Sequence, residues 1–242
     1  MCEIFSGIGT RTGQLYTSDV TDSHNDLFDI YNLREQQCTP VEFLLGTDPT
    51  DVSTYTFRFD AERPAWADDE WVERIKAEWT RRIEKMIVRD KRKILAGGCW
   101  ILGDGAVVGQ TISVRLVVMQ GTSQVGGMWG TSQVGVMQGT SQAGVMWGTS
   151  RVGEMRDSSQ VGVMWGTSRV GEMRDSSQVG VMQGTSQVGV MWGTSRVGEM
   201  RDSSQVGVMW DTSQVGVMFE NARAPRRLEA PKQVDPATGE AK

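Results

Sequence analysis

Three side chains near the start of the chain could do chemistry together: Cys2 with its thiol, His24, the single histidine, and Asp26. Removal of Met1 would leave Cys2 as the N-terminal residue, whose own amine can serve as base for its thiol. His24, oriented by Asp26, would be the other proton acceptor, and any mechanism that needs a histidine must run through it. The chemistry so described is that of an N-terminal thiol hydrolase or transferase. The same residues have a structural reading, with Cys2 a small apolar residue at a strand start and His24 and Asp26 ordinary members of a first helical turn. Other site chemistry finds little support. One histidine and the scattered Cys2, Cys38 and Cys99 disfavour zinc, and Gly103-Asp104-Gly105 lacks the lysine and helix of a phosphate loop. No metal and no cofactor is expected.

Residues 121–219 are eleven consecutive nine-residue units, variants of Gly-Thr-Ser-Gln-Val-Gly-Val-Met-Trp without insertion or deletion. Position three is always Ser, position six always Gly and position eight always Met; position five is Val except at Ala143. Position four is Gln or Arg, position seven Val or Glu (Gly127 in the first unit), and position nine Trp, Gln, Arg or Phe. A close-packed interior cannot hold Trp in one layer and Arg in the next, so the variable positions face outward while Val, Met and Ser line the inside. Such repeats stack because one unit cannot bury its own apolar face. Nine residues span only about 30 Å, too little for two facing strands and their turns, so two units, eighteen residues, form one coil. The fold class that follows is mainly β, a parallel β-solenoid behind a small α+β domain and a long helix.

Pairing by eighteens predicts surfaces. Trp129, Trp147, Trp165, Gln183, Arg201 and Phe219 align along one side; Gln138, Arg156, Arg174, Trp192 and Trp210 align along the other. The rings can simply cover one another, or they can form an exposed strip for a partner chain or flat ligand. Wherever position nine is Arg, position four is also Arg, position seven is Glu, and an Asp follows, as in Arg151, Glu154, Arg156 and Asp157. These near-neutral units read as solubility and register devices. The repeats hold six basic and seven acidic residues, which argues against nucleic acid. They also lack the acidic pattern of calcium-binding nonapeptides. Threonine ranks that could bind ice or a polysaccharide are interrupted by Ser158, Ser176 and Ser203.

The net charge of −5 belongs to the front of the chain, where residues 1–120 carry fourteen basic and nineteen acidic groups. No apolar run is long enough for a membrane span, no signal peptide is legible, and the odd number of cysteines fits a reducing compartment. A cytoplasmic location without membrane contact is the expectation.

Five segments follow. Residues 1–63 form the α+β domain: a hairpin across residues 9–13, a short helix opened by Ser23 and Asp26, and strands near residues 41–45 and 54–59. Residues 64–98 form a linking helix with Trp71, Ile75, Trp79, Ile83 and Ile87 on one stripe and Lys91, Arg92 and Lys93 near its negative end. That stripe is core or a seam between copies. Residues 99–120 read as degenerate first rungs, 121–219 as the solenoid with the front domain covering its first end, and 220–242 as a tail that is flexible or lies over the last rung.

Two resemblances attach to the opening. It is similar to class II glutamine amidotransferases, which begin Met-Cys-Gly-Ile, but Glu3 replaces their glycine and too little chain remains for that fold. Met1 to Gly7, with Asp22-Ser-His-Asn-Asp26 and the Ser-x-Val-type repeat, resembles uncharacterised phage-associated proteins. That implies a phage-encoded factor in a bacterial host, with no activity attached. The functional expectation is a binding or assembly protein, presenting its Trp ladders and Arg/Glu faces to a protein partner or to itself as a homo-oligomer.

Overall fold

The computed structural model describes residues 4–18, 21, 23–219, 221–226 and 228. Strands β1 (Ile4–Thr10), β2 (Leu15–Tyr16), β3 (Cys38–Leu44) and β4 (Thr56–Phe59) form one sheet in the order β2-β1-β3-β4, antiparallel throughout. Helix α1 (His24–Tyr31) starts where the Ser23 hydroxyl accepts from the Asp26 N–H, the cap its sequence implied. Helix α2 (Asp69–Met86) is capped by Asp68, which accepts from the Trp71 N–H at 2.8 Å. Trp71, Ile75, Trp79 and Ile83 are at most 2% exposed. Trp79 stacks on Phe43 at 5.4 Å and Trp71 on Phe59 at 6.0 Å. The apolar stripe is therefore spent on the domain's own core and is not a seam between copies.

The helix ends at Met86, well short of the 64–98 span its charge pattern suggested. Strands β5 (Ile87–Val88) and β6 (Lys91–Ala96) follow, paired with β7 (Cys99–Leu102) and β8 (Val107–Ile112). The β-branched Ile87 and Val88 gain a parallel partner only in the coil, and that pairing outweighs helix continuation. Lys91, Arg92 and Lys93 thus lie on an outermost strand.

From Ile87 the chain winds through about seven coils of about eighteen residues. Successive strands alternate between two eight-stranded parallel sheets. The first runs from β5 through β7 and β9 (Arg115–Met119) to β19 (Gln205–Met209); the second runs from β6 through β8 and β10 (Gln124–Trp129) to β20 (Gln214–Met218). The register is that of the paired units: Val152 faces Val170 and Met155 faces Met173. Position-five Val and position-eight Met form the continuous interior, with Val161 at 1% and Met164 at 0% exposure. Position-three Ser is buried as well. Ser132 and Ser213 donate to the carbonyls of Trp129 and Trp210, three residues back, at 2.8 and 2.7 Å.

Two positions explain how the rungs approach so closely. A Cβ built on Gly162 would lie 2.5 Å from the Gly144 carbonyl oxygen one rung below, and the same contact recurs up both sheets. At position one the backbone is left-handed, with Gly148 at φ 68° and Asp157 at φ 55°. Asp is tolerated there because its carboxylate accepts a backbone N–H one coil earlier: Asp157 from Gly139 at 2.9 Å, Asp202 from Gly184 at 3.0 Å.

The front domain does not cap the end of the coil. It sits on the outer face of the first sheet, over Ile87, Ile101, Val118 and Val136, which join the core of Trp79, Ile83, Val52 and Tyr55. Those four occupy position seven on successive rungs, so the variable column that faces outward elsewhere is buried there. At the far end, Arg223 and Leu228 bridge to Gln205 and Trp210, laying half a coil over β19.

Gly162→Ala places a methyl group against backbone on the neighbouring rung, an overpacking that costs about 1–3 kcal/mol. The denaturation midpoint of this variant should fall accordingly, and an unchanged midpoint would mean that the rungs can spread.

Candidate binding surface

Position nine lies just before each turn, so its side chains form ladders along the flanks of the coil. Trp129 and Trp147 stack with centroids 5.5 Å apart and planes 8° off parallel, and Trp147 and Trp165 at 5.1 Å and 6°. On the opposite flank Trp192 and Trp210 stack at 5.2 Å and 8°. The rings cover each other's faces and leave their edges outward, with Trp129 and Trp147 still 38% exposed. Ile112, paired with Trp129 and 44% exposed, extends the first ladder by one rung. Its own segment departs from the nonapeptide, so the repeat does not reveal its place. Phe219 ends the same flank, 47% exposed, with the Arg201 guanidinium 5.8 Å from its ring centre.

The charged units close on themselves across rungs. The Glu154 side chain is only 3% exposed and lies between Arg156, 2.7 Å from Oε2, and Arg174, 2.8 Å from Oε1. Arg174 also donates to Glu172 at 2.7 Å, and this bond, with the charge of Glu154, raises its pKa. Arg201 pairs with Glu199. Glu154 follows Val136 in the position-seven column and so marks where the front domain's cover ends. Leu45, Thr47, Pro49, Val117 and Val136 line a cleft at that border, with Arg156 beside it.

Of the residues singled out for thiol chemistry, His24 and Asp26 are described and do not pair with each other. Cys2 lies outside the described residues. Nδ1 of His24 is 3.0 Å from the Asp60 carboxylate, and its Nε2 is 3.3 Å from the Val41 carbonyl. Both ring nitrogens therefore face oxygen atoms within the domain. Asp26 accepts from the Thr21 hydroxyl at 2.7 Å and is not the residue that holds the histidine. Asp60 is, and nothing in the spacing of the sequence marks it. His24, Asp60 and Glu42 bring ligand atoms within 4.8 Å of one another, but Glu42 is engaged by Arg58 and His24 by Asp60 and Val41. Burial raises the pKa of the Cys38 thiol and disfavours a thiolate.

Thr131, Thr149, Thr167 and Thr185 follow one another on one flank, as position two of alternate units. The last three donate to the carbonyls of Gly130, Gly148 and Gly166 at 3.3, 3.1 and 3.3 Å. A single file whose hydroxyls already serve the rungs is a poor match for the flat arrays that bind ice. Among the described residues, no helix is long and apolar enough to cross a membrane.

Trp147→Gln removes two of the three stacked tryptophan pairs and leaves Trp192 with Trp210. The exciton-coupled circular dichroism of the tryptophans should change, leaving the contributions of Trp192 with Trp210 and of the edge-on pair Trp66 and Trp71, with a loss of about 1–3 kcal/mol in stability. An unaltered couplet would show that the rings do not stack in solution.

No family model, no curated protein and no solved structure matches the chain.

Proposed function

We propose that this chain is a non-enzymatic binding and assembly protein, in which a rigid β-solenoid presents aromatic ladders and paired Arg/Glu groups to a protein partner or to a second copy. The observation that carries the reading is the unbroken apolar file Ile112, Trp129, Trp147, Trp165 on one flank, whose first three members are 38–44% exposed. Four rungs at about 4.8 Å make a stripe roughly 15 Å long. Its stacked rings have few rotamers left to lose, so binding orders little that is not already ordered. Neighbouring Arg and Glu neutralise each other and suit a polar rim better than a polyanion. The resemblance of the opening to phage-associated proteins makes a bacterial host component the first outside partner to try.

Solution mass by light scattering tests the self-association arm, comparing the wild type with Trp129→Gln/Trp147→Gln/Trp165→Gln. Gln already occupies position nine at Gln138 and Gln183, so the coil accepts it. An oligomeric wild type and a folded monomeric variant identify the ladder as the assembly face. Equal masses remove the ladder from self-assembly, and host proteins captured by the wild type but not the variant then support the partner arm. The absence of both effects would overturn the reading.

A further inference from the structure

The two sheets end in four outer strands, and three are protected in ways that keep a strand edge from recruiting another. β5 has only two residues and lies against the front domain through Ile87. β6 carries Lys91, Arg92 and Lys93. β19 is overlaid by the bridges from Arg223 and Leu228. β20 differs. Its sequence Gln-Val-Gly-Val-Met has no charge and no proline, and among the described residues it pairs on one side only, with the strand Arg196–Met200. It is also where the interior comes to the surface. The inward Met218 is 42% exposed, whereas interior Met residues from Met119 to Met200 are wholly buried, and the outward-facing Val217 and Phe219 beside it are 52% and 47% exposed.

By sequence, the residues that would fall in register beside β20 are ill suited to a ladder. Carried on in register, the next residues along β20 would be Lys232 to Pro236, with Gln233 and Pro236 at the inward positions that Val and Met occupy elsewhere. Proline has no N–H to give a ladder, and glutamine does not extend an apolar interior.

We propose that β20 is a docking edge for a second copy of this chain. The two edge strands meet antiparallel about a twofold axis, and the second sheets of the two copies join into one sixteen-stranded sheet. Each copy extends the other's ladder, the inward Met218 of each covers the open end of the other's interior, and Val217 and Phe219 meet their counterparts on the outer face and flank. Because the strand is uncharged, it meets itself without repulsion, and a two-fold contact requires only that one patch suit itself. The proposal rests on the reading of the solenoid as an assembly scaffold, but it uses a surface separate from the Trp129 ladder.

Light scattering across a concentration series tests it, on the wild type, on Gln214→Lys/Val217→Lys, and on the same pair of changes at interior positions, Gln178→Lys/Val181→Lys. Positions four and seven already hold Arg196 and Glu199, so the coil tolerates charge at both. The wild type and the interior variant should reach twice the 26.7 kDa chain mass. The edge variant should stay at the single mass with unchanged circular dichroism. Amide exchange along residues 214–218 of the wild type should slow by about tenfold or more on dimerisation, a readout that needs no variant. A wild type monomeric at every concentration overturns the proposal, and so does an edge variant that keeps the double mass. The Trp129/Trp147/Trp165 variant separates the two readings: if it alone is monomeric, the ladder and not β20 holds the copies together.

Discussion

Rung-on-rung contact of the backbone is the constraint on which this molecule depends. A parallel ladder brings each strand to within about 4.8 Å of the next, and here the approach leaves no room for a Cβ at position six. An all-glycine column is the direct result. Once glycine holds the spacing, identical side chains in consecutive coils must lie directly above one another. Val and Met fill the interior in repeating layers, the tryptophans become ladders, and the Arg and Glu groups meet across rungs. Surface and interior are both consequences of one backbone distance.

The turns obey the same logic. Position one must be left-handed, which costs an ordinary residue roughly 1–2 kcal/mol, and most copies use glycine there. Where Asp stands, its carboxylate accepts a backbone N–H from the coil before, as Asp211 does from Gly193 at 3.1 Å. The acidic groups that looked like solubility devices thus also tie rungs together at their tightest bends. The same side chain relieves strain and sets register.

The front domain shows how a uniform rod acquires a distinct end. Ile87, Ile101, Val118 and Val136 make one short stretch of the position-seven column apolar enough to seat the α2 core, and Glu154 with its two arginines closes that stretch. Gln120 and Arg89 add polar ties to Asp48 and to the Thr50 carbonyl at 3.0 and 2.6 Å. Hydrogen bonds from Gln120 and Thr50 lower the pKa of Asp48, keeping it ionised at this junction. The domain braces a flank, and the far end of the second sheet is left as the one outer strand without charge or cover among the described residues.

The amino-acid sequence by itself determined the coil. Its period, the inward Val, Met and Ser, the partners in each ladder and the capping of α1 by Ser23 are all local or periodic, and a strict repeat leaves a single register in which like layers meet like. The sequence also carried the core stripe of α2, because a spacing of three and four residues can bury only one face of a helix. Only the tertiary structure decided where that helix stops, since residues 87–96 choose strand over helix for partners ten to twenty residues further on. It alone paired His24 with Asp60 instead of Asp26, and seated the front domain on a flank instead of an end. Those choices join residues with no shared period, between surfaces whose match exists only once both are folded.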